Sequence, residues 1–396
     1  MKENNKLTSI YLSEIFLEND DGIKQLLNYI STNFKENVEE TIKMFVDENL
    51  IDLKRHGNIV FKFFCNNNYL DSIKLILNNS NFNPSANDNE AIAFASEKGN
   101  AEVVKLLLKD VRVDPSSVDN RAIKWASENG HAELVKLLLT DKRVDPSAED
   151  NYAIRCASAR GHVEVVRLLL SNRRVNPSKY CNYAIIDASG NGHTEVVKLL
   201  LSDKRVDPSA GGDNSAIMEA SKNGHAEVVK LLLADRRVDP SADNNYAIRK
   251  ASKNGHAEVV KLLLSDKRVD PSIYDNDAIR IASENGHLEV VKLLLQDGRV
   301  KSSICDSILY SARYNSCIDL DVIKYILSDG RVTLSAAKMN CLITIVAQSN
   351  NLNLVKVLLS DKRVELFAKD EAINCISAFS RNDDIKFLLE KCKFDN

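Results

Sequence analysis

A short sequence motif recurs at a fixed interval along this chain and limits the folds that it can adopt. Every proline lies in an Asn/Asp-Pro-Ser tripeptide, and successive prolines are 31 or 32 residues apart. The seven prolines are Pro84, Pro115, Pro146, Pro177, Pro208, Pro240 and Pro271. A period of this length indicates one supersecondary unit copied along the chain. It argues against dividing the 396 residues into independent globular domains.

Seven copies of the unit follow one another between residues 89 and 306. Numbered as repeats 1 to 7, they begin at Asn89, Asn120, Asn151, Asn182, Asn214, Asn245 and Asn276. Repeat 6 shows the pattern of the first half. At about 100° per residue, Ala247, Ile248 and Ala251 share one face, which predicts a short amphipathic helix. We expect the side chains of residues 243–245 to cap its start and Gly255 to end it in the left-handed conformation.

The second half of the repeat predicts a helix that is apolar around more than half of its circumference. Its apolar residues in repeat 6 are Val259, Val260, Leu262, Leu263 and Leu264. Such a helix needs cover on two sides, from its partner helix and from a neighbouring repeat. Because a unit of about 31 residues is too small to fold alone, we expect the repeats to be stable only when stacked.

The phrase Ala-Ser-x-x-Gly-His-x-Glu-Val-Val-Lys-Leu-Leu-Leu at residues 251–264 resembles the core of the ankyrin repeat, and the match recurs seven times. The resemblance implies an all-α solenoid of paired antiparallel helices with projecting loops. The family's Thr-Pro-Leu-His opening is absent and each repeat is about two residues shorter than usual. The family's standard hairpin therefore does not carry over from the resemblance. The sequence from Arg237 to Arg249 also resembles that of ankyrin-repeat proteins of large DNA viruses of amoebae.

The flanks read as weaker copies of the same unit. We expect an N-terminal helical cap and degenerate repeat at 1–57, a degenerate repeat at 58–88, and the regular repeats at 89–306. Residues 307–396 would hold three degenerate C-terminal repeats and a cap. Sequence drift at both ends is expected, since the terminal repeats of a solenoid must present a polar outer side.

Composition excludes several classes of function. Lys and Arg number 53 against 56 Asp and Glu, so the net charge of -3 favours neither nucleic acid nor an anionic membrane. No apolar run approaches the roughly 18 residues of a membrane span, and residues 1–20 lack a signal-peptide core. We expect a monomer that is soluble, intracellular and cytoplasmic, or in the host cytoplasm if the protein is viral; the nucleus stays open. The eight cysteines are expected to be reduced thiols.

Histidine and serine each recur at one position of the repeat, and we call these sets the histidine column and the serine column. They suggest a metal site or a catalytic site, but the periodicity argues against both. Six histidines occupy one repeat position: His131, His162, His193, His225, His256 and His287. Stacked helices lie about 8 to 10 Å apart, too far for neighbouring histidines to share one zinc ion. We expect each to bond locally between two helices. A serine column recurs in the same way, so no single nucleophile and base emerge. We expect no metal, no cofactor and no enzymatic activity.

Positions that vary from repeat to repeat are the candidates for binding. They are the second, fifth, sixth and ninth of each repeat, which share an outward arc, together with the loop tips. We expect these residues to form a partner-binding strip: Arg121, Trp125, Tyr152, Arg155, Tyr183, Tyr246, Arg249 and Arg280, with Tyr180 and Tyr274 at loop tips. The arc also holds Lys124 and Asp277. Tyr, Trp and Arg are enriched at interface hot spots. The alternative is that they only cover the seams between repeats.

The sequence therefore predicts a non-enzymatic scaffold that binds a protein, and the viral resemblance implies a host protein. A first alternative is a substrate adaptor of a ubiquitin ligase. Such adaptors carry an F-box-like segment beyond the repeats, whereas repeat-like sequence runs here to Phe394 and residues 1–36 contain no proline. A second alternative is a structural spacer without a specific partner.

Overall fold

A computed structural model gives the structure of residues 20–33, 37–48, 50–300 and 320–328. Throughout these ranges the regular structure consists of α-helices and one short π-helix, with no β-strand. The all-α prediction is confirmed, with helices packed in adjacent pairs. Before repeat 1 the helices are α1 (Asp20–Asn33), α2 (Val38–Asp47), α3 (Leu53–Asn67) and α4 (Leu70–Asn78).

Each repeat contributes a first helix and a second helix. In order along repeats 1 to 7 they are α5 (Ala86–Glu97), α6 (Ala101–Lys109), α7 (Ser117–Glu128), α8 (Ala132–Leu139), α9 (Ala148–Ala159), α10 (Val163–Ser171), α11 (Lys179–Gly190), α12 (Thr194–Ser202), α13 (Ser215–Lys222), α14 (Ala226–Ala234), α15 (Ala242–Lys253), α16 (Ala257–Ser265), α17 (Ile273–Glu284) and α18 (Leu288–Gln296). A π-helix at Ala210–Asn214 takes up the extra loop residue before α13.

The chain forms two compact units. The first holds the described residues up to Ala184 together with Leu199–Val206, and the second holds Ile185–Lys198 and the described residues from Asp207 onward. Within the first unit α5 packs on α7 and α7 on α9, while α6 packs on α8 and α8 on α10. Within the second, α13, α15 and α17 form one layer and α14, α16 and α18 the other. Each unit thus has a layer of first helices and a layer of second helices.

Burial in repeat 6 follows the predicted faces closely. Ala247, Ile248 and Ala251 are buried in the first helix, as predicted. In the second helix Leu263 is fully buried, which contributes roughly 1.5 to 3 kcal/mol. Leu262, like Leu264, is only half-buried, so the cover predicted on two sides of this helix leaves these two positions partly exposed.

Near the start of each first helix except α13, a left-handed turn interrupts the helix, at the place where the sequence predicted side-chain caps. In α15 (Ala242–Lys253) this turn is formed by residues 243–245. Asp243, Asn244 and Asn245 have φ values of 45°, 52° and 57°. The Asn245 side chain does not cap its own helix, because its Oδ1 accepts the backbone N–H of Asp270, in the loop after the second helix of the same repeat, at 2.7 Å. The capping prediction is therefore wrong. The same turn recurs at 87–89, 118–120, 149–151, 180–182 and 274–276.

In repeats 1–4, 6 and 7 an arginine after the second helix joins the repeat to the one before it. The Arg268 guanidinium forms a bidentate pair with Asp266, and its Nη1 donates to the Val238 carbonyl of the preceding repeat at 2.6 Å. The side-chain hydrogen bond from Arg268 lowers the pKa of Asp266. Equivalent bonds run to the preceding repeat from these residues: Arg112 to Phe82, Arg143 to Val113, Arg174 to Val144, Arg205 to Val175, and Arg299 to Val269.

The histidine column joins repeats as well, over a longer range than predicted. Nε2 of His256 donates to the carbonyl of Lys222, at the end of the first helix of the preceding repeat, at 3.0 Å. Its ring lies against Gly224, where φ is 81° and an added Cβ would come within 2.6 Å of Nδ1. The histidine thus forms a hydrogen bond between two repeats, and the expectation of a local bond is wrong.

The described parts of the flanks are helical. Helix α2 buries Ile42, Phe45 and Val46, and α19 (Leu320–Ser328) buries Val322. The predicted boundary between residues 57 and 58 falls inside α3. Residues 1–19 and most of 307–396 lie outside the described residues, so the organisation of the flanks stays a prediction.

Candidate functional site

The ten predicted binding residues differ in how far they reach the surface. Tyr180, Tyr183 and Tyr274 are exposed, at 58%, 45% and 59%. The other seven are half-buried: Arg121, Trp125, Tyr152, Arg155, Tyr246, Arg249 and Arg280. Lys124 and Asp277 are buried, so their placement on the outward arc was wrong. Both have an oppositely charged partner, which allows their burial.

In the first compact unit, the first helices of repeats 2 and 3 meet through cations and rings. The Arg121 guanidinium lies 5.4 Å from the centre of the Trp125 ring on the same helix. Nζ of Lys124 lies 5.7 Å from the Tyr152 ring of the next repeat and 2.6 Å from Oε1 of Glu149. These are cation–π distances, and desolvation strengthens such contacts.

Tyr152 and Arg155 continue this cluster towards the next loop. The Tyr152 hydroxyl donates to Oε2 of Glu128 in the preceding repeat at 3.2 Å. A hydrogen bond with Cys156, burial and the Glu128 carboxylate raise the pKa of Tyr152 above its ordinary value, so the hydroxyl stays a donor. The Arg155 guanidinium lies between two rings, 5.7 Å from the centre of Tyr152 and 4.8 Å from that of Tyr180.

The second compact unit carries a related cluster on repeats 6 and 7. Nζ of Lys250 lies 4.9 Å from the Tyr246 ring, and the Arg249 guanidinium lies 5.1 Å from the Tyr274 ring. Nε of Arg249 also donates to Oδ2 of Asp277 at 2.9 Å. Asp277 accepts a second bond from Arg280, whose other nitrogen bonds Glu284.

The seam interpretation is confirmed for part of the strip, and partner binding stays a prediction. Tyr152, Arg155 and Arg249 cover seams, because each contacts a residue of a neighbouring repeat. The same side chains frame exposed tyrosines with guanidinium groups, which is a surface that suits recognition more than catalysis. The serine column offers no nucleophile to a substrate, since Ser127 and Ser158, like the other serines of the column, are buried.

The sequence interpretation missed two kinds of residue. Phe94 occupies in repeat 1 the position that Trp125 holds in repeat 2, and its ring lies 5.6 Å from Nζ of Lys62 and 5.4 Å from that of Lys98. Extending the positional comparison to repeat 1 would have found it. The arginines that join repeats were missed as well, although the recurring Asp/Asn-x-Arg spacing of the loops signals them.

The part of the chain that the structure describes contains neither a candidate metal site nor a candidate membrane span. No group of three or more His, Cys, Asp or Glu side chains there could hold a metal ion. No helix among the described residues is long and apolar enough to cross a membrane.

Comparison with known families decides the classification. A model of ankyrin repeats matches three stretches, residues 60–150, 123–211 and 217–304, which together exceed half of the chain. The chain belongs to the ankyrin-repeat family. Ankyrin repeats are generally modules of protein–protein interaction and typically non-enzymatic. No curated protein matches this ankyrin-repeat protein.

Proposed function

We propose that this ankyrin-repeat protein is a non-enzymatic scaffold that binds another protein through its first helices and the turns before them. We call this surface the first-helix face. In the first compact unit it comprises Arg121, Trp125, Tyr152, Arg155, Tyr180 and Tyr183, and in the second Tyr246, Arg249, Tyr274 and Arg280. The viral resemblance extends the proposal to a host protein as the partner.

The observation that carries the proposal is the exposure of three tyrosines, two of which, Tyr180 and Tyr274, lie beside guanidinium groups. Tyr180, Tyr183 and Tyr274 are among the few large apolar side chains that the described residues expose. Tyrosine supplies a wide contact area and a hydrogen-bonding hydroxyl at low entropic cost, and it is enriched at binding hot spots.

The second helices present a different surface. Lys261 and Glu258 of repeat 6 are each 65% exposed and lie 3.7 Å apart, and Lys198 and Glu195 of repeat 4 are arranged similarly. Exposed pairs of this kind contribute little and are ordinary solvated surface. This contrast between the two layers favours the first-helix face as the binding surface.

The charges on the first-helix face are mixed. Arg249 and Arg280 share the carboxylate of Asp277 in the second unit, and Glu128 and Glu149 accompany Lys124 and Tyr152 in the first. Nucleic acid is bound mainly by unpaired positive charge along the phosphate backbone. A protein surface of complementary pattern fits this arrangement better.

Capture of partners by matched variants tests the proposal. The full chain, Trp125→Ala and Lys261→Ala serve as baits in a lysate of the source cells, with quantitative mass spectrometry of the bound proteins. We expect proteins that bind the full chain and Lys261→Ala but are depleted at least about fivefold on Trp125→Ala, since hot spots contribute more than about 1 kcal/mol. Ligase subunits among them would favour the adaptor. An identical set on all three baits would contradict the first-helix face, and no bound protein would favour the spacer.

A further inference from the structure

Repeats 3 and 6 carry the same three-residue pattern. Each has Tyr-Ala-Ile-Arg at the start of its first helix, and each has a tyrosine 25 residues after the arginine, at the first position of the following left-handed turn. The arginine lies on that tyrosine in both copies, with Arg155 on Tyr180 and Arg249 on Tyr274. In repeat 2 the same two positions hold the Lys124 and Glu149 ion pair. These two positions therefore face each other in all three repeats.

The copy in repeat 6 already holds a carboxylate. Asp277 directly follows the left-handed turn at 274–276, and its Oδ2 lies 2.9 Å from Nε of Arg249. Only 7% of Asp277 is exposed. A guanidinium lying on a tyrosine ring and bonded to a carboxylate is thus an arrangement that this fold forms with its own residues.

The copy in repeat 3 lacks that carboxylate. Tyr183 stands at the position equivalent to Asp277, and it is exposed. The guanidinium of Arg155 donates only to the backbone carbonyls of Glu149 and Asp150, at 3.3 Å each. Within the described ranges of the chain, Arg155 has no carboxylate within ion-pair distance.

We propose that Arg155, held between Tyr152 and Tyr180, binds an aspartate or glutamate side chain in an acidic segment of the partner protein. The inference rests on the proposed function and assigns a partner chemistry to one part of the first-helix face. A planar guanidinium fixed by stacking presents parallel N–H groups that match the two oxygens of a carboxylate. Asp277 shows within the same chain how such an oxygen is received.

A carboxylate suits the site better than a phosphate group. Glu128 pairs with Arg160 and Glu149 pairs with Lys124, so these neighbouring charges are already balanced and Arg155 offers a single positive charge. A phosphate group bears a charge of about -1.5 to -2 at neutral pH, and one guanidinium balances a single carboxylate better. We therefore commit to an acidic peptide segment.

The test is fluorescence anisotropy of the full chain with a fluorescein-labelled glutamate-rich peptide, and with a glutamine-rich peptide of equal length. We expect Arg155→Ala to weaken binding of the glutamate-rich peptide about fivefold or more. Tyr183→Asp should do the same, because it supplies the internal carboxylate that repeat 6 has. Since Tyr183 is exposed, this variant keeps the fold, which circular dichroism verifies. Arg167→Ala is the control and should change binding less than about twofold, since this exposed arginine lies on the second helix of repeat 3 and pairs with Glu164.

Three results would overturn the inference. They are a wild-type chain that binds both peptides alike, equal losses in Arg155→Ala and Arg167→Ala, and tighter Arg155-dependent binding of a phosphoserine peptide. Failure of the inference is distinguishable from failure of the proposed function. If captured proteins depend on Trp125 but not on Arg155, the carboxylate assignment is wrong and the first-helix face remains the binding surface.

Discussion

At the scale of single residues, the stacked repeats contain polar groups that their surroundings do not satisfy. The serine in the middle of each first helix is fully buried, and in repeats 1 to 6 its Oγ has no hydrogen-bond partner in the structure. In repeat 7 the equivalent Ser283 donates to the Ile279 carbonyl at 2.8 Å. A buried hydroxyl without a partner costs about 1 to 3 kcal/mol.

Removing one of these hydroxyls should therefore stabilise the protein. We expect Ser252→Ala to raise the free energy of unfolding by about 1 kcal/mol, because alanine removes an unsatisfied polar atom and also has the higher helix propensity. Ser283→Ala is the control, since it gains the same propensity but loses a hydrogen bond. Urea denaturation followed by circular dichroism measures both. A Ser252→Ala variant less stable than Ser283→Ala would show that the serine column is satisfied after all.

The left-handed turns place one β-branched residue, Val118, in a strained backbone conformation. Val118 opens the turn of repeat 2 with φ of 51°, whereas Asn87 occupies the equivalent place before repeat 1 at 53°. A β-branched residue is disfavoured in this region, which asparagine tolerates best among residues other than glycine. The valine is only partly covered, at 38% exposure, so little burial offsets its strain.

We expect Val118→Asn to raise the free energy of unfolding by about 1 kcal/mol through relief of this strain. Val111→Asn is the matched control, since Val111 is 95% exposed and has no positive φ. It should change stability by less than about 0.5 kcal/mol. Equal effects of the two substitutions in thermal and urea denaturation would show that the turn stores no strain at Val118.

At the scale of elements, the repeats are held together by polar bonds as well as by buried leucine and valine. Arg268 and His256 in repeat 6 each bond a backbone carbonyl of the preceding repeat, and Asn245 ties down the loop of its own repeat at the N–H of Asp270. Each satisfies a carbonyl or N–H that the ends of short helices and loops leave unpaired. The loops therefore contribute to the interfaces between repeats.

Loss of one such arginine should destabilise the stack. We expect Arg268→Ala to lower the free energy of unfolding by about 1 to 3 kcal/mol, because it leaves the Val238 carbonyl and the Asp266 carboxylate without their partner. The neighbouring Lys267 is exposed, and Lys267→Ala should cost less than about 0.5 kcal/mol. Similar losses in the two variants would show that the arginine bond adds nothing to stability.

At the scale of the whole molecule, repetition multiplies each local effect. Side-chain hydrogen bonds from arginine lower the pKa of six loop aspartates below the ordinary value of 3.8: Asp110, Asp141, Asp203, Asp235, Asp266 and Asp297. Because the unfolded chain binds these protons first, the contribution to stability is complete above pH 3.8 and is lost as the pH falls through the folded pKa values.

We expect the melting temperature to be nearly constant from about pH 7 to 5 and to fall below about pH 4. A double variant, Asp266→Asn with Asp297→Asn, should be less stable at neutral pH but should decline less steeply in acid. Repeat 3 carries Asn172 naturally at this loop position, so asparagine is tolerated there. Calorimetry across the pH series compares the two declines, and parallel curves would show that these pairs do not govern acid stability.

The periodicity of the sequence was enough to predict the fold and the residues of the core. Ala247, Ile248, Ala251 and Gly255 behave as the helical pattern requires, because burial of a repeated amphipathic face is decided locally. The left-handed turn was not predictable, since Asp and Asn favour caps and turns alike and the bond from the Asn245 side chain to the distant loop at Asp270 decides between them.

The candidate site was less predictable than the fold. Angular arithmetic places Lys124 and Asp277 on the outward arc, yet both are buried beside an ion-pair partner, Glu149 for Lys124 and Arg249 of the preceding repeat for Asp277. Which face a residue occupies follows from one helix. How far it is covered depends on the side chains of the adjacent repeat, which a single helical pattern does not contain.

The central claim is that partners dock on the first-helix face, and site-specific photo-crosslinking tests it most directly. Benzoylphenylalanine replaces exposed Tyr183 in one full-length chain and Lys261, on the layer of second helices, in another, and both are irradiated in the source-cell lysate. The account predicts protein adducts from position 183 that are absent from position 261. Adducts from position 261 alone, or the same adducts from both positions, would contradict it.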